Sequence, residues 1–190
     1  MAKALHVSSP MFNLTVSPLV ALVDETVCIK VTGLTKHQPI TVAAYIKEGT
    51  AVYISHGQYT ANELGVVDLT TDVSTGGSYE GLEPMGLFWA MFPADGERLG
   101  MRLMKKDVTT PFKININVRQ GHIKCTTKKS FDSPVGLLGS LVVERWYKAP
   151  DVKRIEVRSG KLRGSLFLPS GKSALLRSFS FYQEITFIKK

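Results

Sequence analysis

The chain has 190 residues, with 44% hydrophobic and 21% charged side chains and a formal net charge of +8. That length suits one domain of ordinary size plus a tail and leaves little room for two full domains. The composition excludes a disordered or fibrous chain. The charge is uneven, because residues 1–97 hold 4 basic and 10 acidic side chains and residues 98–190 hold 20 and 6. A basic second half fits an anionic partner such as nucleic acid, a membrane surface, a phosphorylated cofactor or an acidic neighbouring domain. A solvated basic face is the plainer expectation.

In chain order, Met1-Ala2-Lys3-Ala4-Leu5-His6 lacks the apolar run of a secretory signal. The longest mainly apolar stretches, residues 19–23 and 135–143, fall well short of the roughly 18 residues of a membrane span. A soluble, cytoplasmic chain is expected. Strands are predicted at Leu14-Thr15-Val16, before Ser17-Pro18; at residues 27–31, before Thr32-Gly33; and at residues 40–46, before Glu48-Gly49. In the last of these Ile40, Val42, Ala44 and Ile46 share one parity, the pattern of a strand with one buried face. Further strands are predicted at 51–59, 66–69, 112–118, 141–146, 155–157 and 164–168. Phe112, Ile114, Ile116 and Val118 alternate with Lys113, Asn115 and Asn117, so one face is expected in the core and the other in water. Gly76-Gly77-Ser78-Tyr79-Glu80-Gly81 reads as a loop. Residues 84–91 fit either a helical turn or a buried strand, and residues 99–104 are equally ambiguous. Many short strands separated by Gly, Pro, Ser and Asn make the fold class all-β, an antiparallel β-sandwich.

Sites of chemistry are sparse. Cys28 and Cys125 have no CxxC spacing, and Cys28, within Val27-Cys28-Ile29, is expected as a small buried hydrophobe in a reducing compartment. His6, His37, His56 and His122 form no HxH or HExxH pattern, so surface histidines, no metal and no cofactor are expected. The Gly-rich loop lacks the GxxxxGK[ST] order of a phosphate loop. Gly171-Lys172-Ser173 matches only that motif's end, because Leu166 stands where the first glycine is required. No GxSxG elbow occurs, and 68 residues without an imidazole follow His122, so a nucleophile–acid–histidine order is excluded and no catalytic residue is assigned. Lys124, Lys128, Lys129, Lys148, Lys153, Arg154, Arg158, Lys161 and Arg163 supply charge without the aromatic or GxxG patterns of nucleic-acid binding, so no nucleic-acid partner is expected.

Longer words carry a resemblance. Val16-Ser17-Pro18-Leu19-Val20-Ala21-Leu22-Val23-Asp24-Glu25 and Val31-Thr32-Gly33-Leu34 open it. Gly76-Gly77-Ser78-Tyr79-Glu80-Gly81-Leu82-Glu83-Pro84-Met85-Gly86-Leu87-Phe88-Trp89 and Met104-Lys105-Lys106-Asp107-Val108 continue it. Leu141-Val142-Val143-Glu144-Arg145-Trp146-Tyr147-Lys148-Ala149-Pro150, leading to Val152-Lys153-Arg154, follows in the same order. Over residues 14–172 the chain resembles the type I acyl-CoA thioesterase and bile acid-CoA:amino acid N-acyltransferase family.

The resemblance implies an amino-terminal immunoglobulin-like sandwich followed by an α/β-hydrolase domain, which carries a serine or cysteine nucleophile with an aspartate and a histidine. It implies acyl-CoA as substrate, with the acyl group passing to water, glycine or taurine. On this basis residues 1–13 are expected as an extension, 14–157 as the sandwich, 158–172 as the start of a linker and 173–190 as a divergent tail. The tail is expected to be an alternatively spliced or frame-shifted end, disordered or loosely packed, or else to add an edge strand. Ile188-Lys189-Lys190 is not a peroxisomal tripeptide. The chain alone is expected to be inactive, with self-association through the surface left by a missing domain.

Overall fold

The computed structural model describes residues 11–98, 100–170 and 179–181. Expectations for His6, Leu99, Gly171-Lys172-Ser173 and the tail apart from Phe179–Phe181 lie outside them. The described residues divide into two compact units, one ending at Tyr147 and the other beginning at Lys148.

The first unit carries, in order, β1 (Asn13–Ser17), β2 (Val20–Leu22), β3 (Cys28–Thr32), β4 (Pro39–Glu48), β5 (Ala51–Thr60), β6 (Val67–Asp68), α1 (Gly86–Trp89), β7 (Phe92–Pro93), β8 (Phe112–Gln120), α2 (Lys128–Asp132) and β9 (Leu137–Trp146). A three-stranded sheet, β1-β3-β6, faces a six-stranded sheet, β2-β9-β8-β4-β5-β7, as the two layers of a β-sandwich. The chain passes from one sheet to the other between β1 and β2, through a cis Ser17–Pro18 bond. One pair departs from antiparallel order: β2 runs parallel to β9, with Val20 opposite Glu144 and Leu22 opposite Trp146.

Strand alternation assembles the core. Val16, Ile29, Val31 and Val67 from the small sheet meet Ile40, Val42, Ala44, Ile46, Ile114, Ile116, Val118 and Val143 from the large one. Fully burying one such Val or Ile contributes about 1.5–3 kcal/mol. The β4–β5 hairpin turns on Gly49-Thr50, where glycine supplies a φ of +63° that a two-residue hairpin needs.

The outer face of the large sheet corrects one expectation. Lys113 is exposed as predicted, but Asn117 and Arg119 on the same face are buried. The connection from β8 to β9, which contains α2, lies over that face. Cys125 and Phe131 pack there with Ala43, Tyr45, Val52 and Ile54 as a second apolar cluster, and the Phe131 ring stacks on Tyr45 at 5.0 Å between centroids. Polar bonds hold the cover in place: Arg119 Nη1 donates to the Val135 carbonyl at 2.9 Å, and both Arg119 Nη2 and Asn117 Nδ2 donate to the Phe131 carbonyl. The Thr41 hydroxyl donates to the Gly121 carbonyl at 2.7 Å and accepts from the Ile123 amide at 2.9 Å. A capping box starts α2, Thr127 accepting from the Ser130 amide while Ser130 accepts from the Thr127 amide.

The second unit is a sheet ordered β10-β11-β12, from β10 (Lys153–Ser159), β11 (Leu162–Leu168) and β12 (Phe179–Phe181). Here three tail residues pair as a strand, Gly164 standing opposite Phe181. Of the two ambiguous segments, residues 84–91 contain α1 and residues 100–104 form no helix or strand. Among the described residues no helix is long and apolar enough to cross a membrane.

Arg119 ties the β8–β9 connection to the sheet by two charge-assisted bonds, each worth about 1.5–3 kcal/mol. Its replacement, Arg119→Met, is expected to destabilise the chain by about 2–3 kcal/mol, read as a lower urea midpoint, and to raise amide exchange selectively across residues 121–135.

Candidate functional site

The Gly-rich loop is a clasp on β5. Its backbone bridges Gly57 to Gly77 and closes on itself from Ser74 to Gly81. Gly77 has a φ of +114°, and a Cβ there would lie 2.4 Å from the His56 carbonyl oxygen. The close approach delivers Tyr79 onto the sheet. A Cβ on Gly57 would meet the Tyr79 hydroxyl at 2.7 Å, and one on Gly86 would meet its ring at 2.6 Å. The Tyr79 hydroxyl pairs with that of Tyr59 at 2.8 Å, and burial raises both phenols above their ordinary range. The glycines of this loop serve packing against a sheet rather than phosphate.

Beyond the clasp, α1 ends in Trp89, which is 71% exposed and stands between two cavities. One, of about 440 Å³, is lined by Val23, Asp24, Thr26, Pro84, Met85 and Trp89. The other, of about 400 Å³, has walls of Phe88, Met91, Met101, Leu103 and Phe112 together with Arg102 and Arg145. Arg145 occupies an inward position of β9, opposite Phe112 and two residues beyond Val143, and is only 3% exposed. Its Nη2 donates to the carbonyls of Val23 and Glu25, clamping the segment after β2. Its carbon Cζ lies 5.3 Å from the Phe88 ring centroid. Burial lowers the guanidinium pKa, opposed by the nearby carboxylates of Glu25 and Asp24. An arginine nevertheless remains charged.

The remaining candidates disperse. His37 is exposed and 3.0 Å from Glu63, and His122 bonds the Tyr59 carbonyl at 3.0 Å. Cys28 is exposed, correcting its expected burial: it falls on the outward parity of β3, between inward Val27 and Ile29. Cys125 is the buried thiol, and burial pushes its pKa up against the opposing charge of Arg119. Among the described residues no three His, Cys, Asp or Glu side chains stand together as metal ligands would. Of the nine basic candidates, Lys148 donates to the carbonyls of Ala149 and Val152, Lys153 and Lys161 are exposed, and the other six fall into two groups. Lys124, Lys128 and Lys129 are exposed around α2, while Arg154, Arg158 and Arg163 share one face of the β10–β11 hairpin around a groove of about 370 Å³. In that groove Arg154 donates to the Ser165 hydroxyl and Arg158 pairs with Glu156.

Much of this arrangement lies in a region shared with known proteins. The family described as acyl-CoA thioester hydrolase/BAAT N-terminal region matches residues 24–159. The human bile acid-CoA:amino acid N-acyltransferase is 43% identical over 164 residues, covering 85% of this chain and 38% of the relative. The mouse protein of the same name is 45% identical over 164 residues, covering 85% and 37%. Mouse acyl-coenzyme A thioesterase 5 is 42% identical over 151 residues, covering 78% and 33%. The chain thus spans little more than a third of the length of these curated relatives. The clasp, Trp89 and Arg145 all lie within the matched region, whose end coincides with the last residue of β10.

One contact resembles catalytic machinery and corrects the expectation that every histidine lies at the surface. His56 is buried, and its Nδ1 lies 3.2 Å from the Ser78 hydroxyl. That hydroxyl already accepts from the His56 amide at 2.9 Å, and among the described residues no carboxylate hydrogen-bonds the ring. The pair therefore fastens the clasp to β5. Burial, helped by the charge of Lys124, lowers the His56 pKa, so the folded chain holds the neutral ring. The stability this confers is complete above the ordinary histidine range and is lost as pH falls from that value toward the lowered one. Between pH 7.5 and pH 5.5 the unfolding free energy from urea titration is expected to fall, by at most about 1.4 kcal/mol per pH unit from this group, and the His56→Gln chain should show a shallower fall.

Proposed function

Because the chain belongs to the acyl-CoA thioester hydrolase/BAAT N-terminal region family, we propose that it is the accessory β-sandwich of a protein that processes acyl-CoA thioesters, without turnover of its own. The observation that carries this reading is the span of the likeness. The family match covers the sandwich from β3 to β9 and reaches Ser159, while the chain covers 38% of the human N-acyltransferase. In the proposed setting the acyl group of a fatty or bile acyl-CoA passes to water, glycine or taurine in chemistry that this sandwich supports and does not perform. The geometry agrees with that division, since the Ser78–His56 contact is spent on holding a loop. Two free thiols, Cys28 and Cys125, favour the cytoplasm as its compartment. Incubation of the chain with dodecanoyl-CoA, with or without taurine, is expected to release CoA no faster than buffer when products are counted by mass spectrometry. A saturable release would overturn the proposal.

A second reading is an immunoglobulin-like interaction module. Trp89 at 71% exposure, together with exposed Val20 and Val142 beside the β2–β9 pair, favours it, since apolar surface of this kind drives association. Sedimentation over a hundredfold concentration range should then show mass rising with concentration; a monomer throughout would count against self-association.

A further inference from the structure

We propose that the cavity between α1, residues 101–103 and the β8–β9 pair binds an amphipathic carboxylate, its apolar body against Phe88, Met91 and Leu103 and its anionic end on Arg145. Three observations converge on that ligand class. The volume, about 400 Å³, falls within the range of about 300–1,000 Å³ typical of small-molecule sites. The walls combine aromatic and unbranched apolar side chains with two guanidinium groups, Arg145 and Arg102, and include no acidic residue. Finally, Arg145 is 3% exposed, and among the described residues its buried Nη1 has no hydrogen-bond partner. Buried donors are almost always satisfied, and an open one on a charged group is the costliest kind.

The polarity of the two cavities orients the ligand. Asp24 lines the neighbouring cavity across Trp89, so an anion is favoured on the Arg145 side and disfavoured on the other. Met91 and Met101 are flexible enough to repack around an entering chain and open a path to the guanidinium. A carboxylate reaching Arg145 would gain a charge-assisted bond, and it would do so without giving up the Nη2 bonds that clamp Val23 and Glu25. This ligand site is independent of whether the chain turns over acyl-CoA.

Trp89 lines the cavity, and the chain holds one other tryptophan, Trp146. In a Trp146→Phe chain the emission therefore comes from Trp89 alone, and substitution at Leu103, which lines this cavity and not its neighbour, assigns the response to the site. Titration with sodium decanoate below its micelle concentration is expected to give a saturable blue shift. 1-Decanol, which lacks the charge, should bind about tenfold more weakly or worse. Leu103→Phe, added to narrow the cavity, should abolish the shift while far-ultraviolet dichroism stays unchanged. Calorimetry on the unsubstituted chain should reproduce the contrast between acid and alcohol. The proposal is overturned by the absence of a saturable response, by equal affinity for decanol, or by an unaltered response in the folded Leu103→Phe chain.

Discussion

The hairpin of β4 and β5 is apolar on both faces, and the rest of the first unit answers to that constraint. Ile40, Val42, Ala44 and Ile46 face the small sheet, while Ala43, Tyr45, Val52 and Ile54 face the other way. A sandwich of two layers satisfies only the first set. The β8–β9 connection supplies a partial third layer, and a covering of loop and short helix brings backbone carbonyls into a dry setting, where each needs a donor. Arg119 and Asn117 provide the donors from the strand beneath. The arrangement uses a charged residue as backbone scaffolding, at a site where a surface lysine or arginine would have been the ordinary reading.

This explains which parts of the fold were legible in the sequence. Parity located the inner faces of β4 and β8, because the small sheet imposes one apolar side on every strand it covers. Parity alone carries no information about a cover supplied by distant residues, so the burial of Asn117 and Arg119 went unread. The same holds for Arg145, although it did leave a signal: it continues the inward series of Leu141 and Val143 in β9, where a cation is out of place unless the fold has a use for it. The segment containing β2 looked apolar and no more, since a short strand leaning on β9 in parallel has no period long enough to detect. Cys28 was misread by composition, a run of apolar neighbours outweighing its alternation. The family words located the clasp without revealing its purpose, which became clear from the distance between Gly57 and the ring of Tyr79.

The first unit presents an exposed indole and a cavity with a buried cation, and the second unit carries an arginine-bearing hairpin. Two exposed sets stand out among the basic residues of the second half: lysines around α2 in the first unit and arginines on one face of β10–β11 in the second. Such charge is suited to solubility and to meeting anionic surfaces. The buried arginines work differently: Arg119 and Arg145 spend their donors chiefly on main-chain carbonyls, and that use requires a planar fork rather than a point charge.

The end of the family match at Ser159 has a consequence for how such chains are divided. Ser159 is the final residue of β10, and β10 is bonded along its whole length to β11, with Lys153 opposite Leu168 and Ser159 opposite Leu162. A boundary drawn from shared residues therefore separates two strands that complete each other's hydrogen bonds, leaving one with an open edge prone to pairing with another chain. The seam between compact units, at Tyr147 and Lys148, severs no such ladder. Likeness between relatives and compactness are separate properties of a polypeptide, and here they place their borders on opposite sides of a single strand.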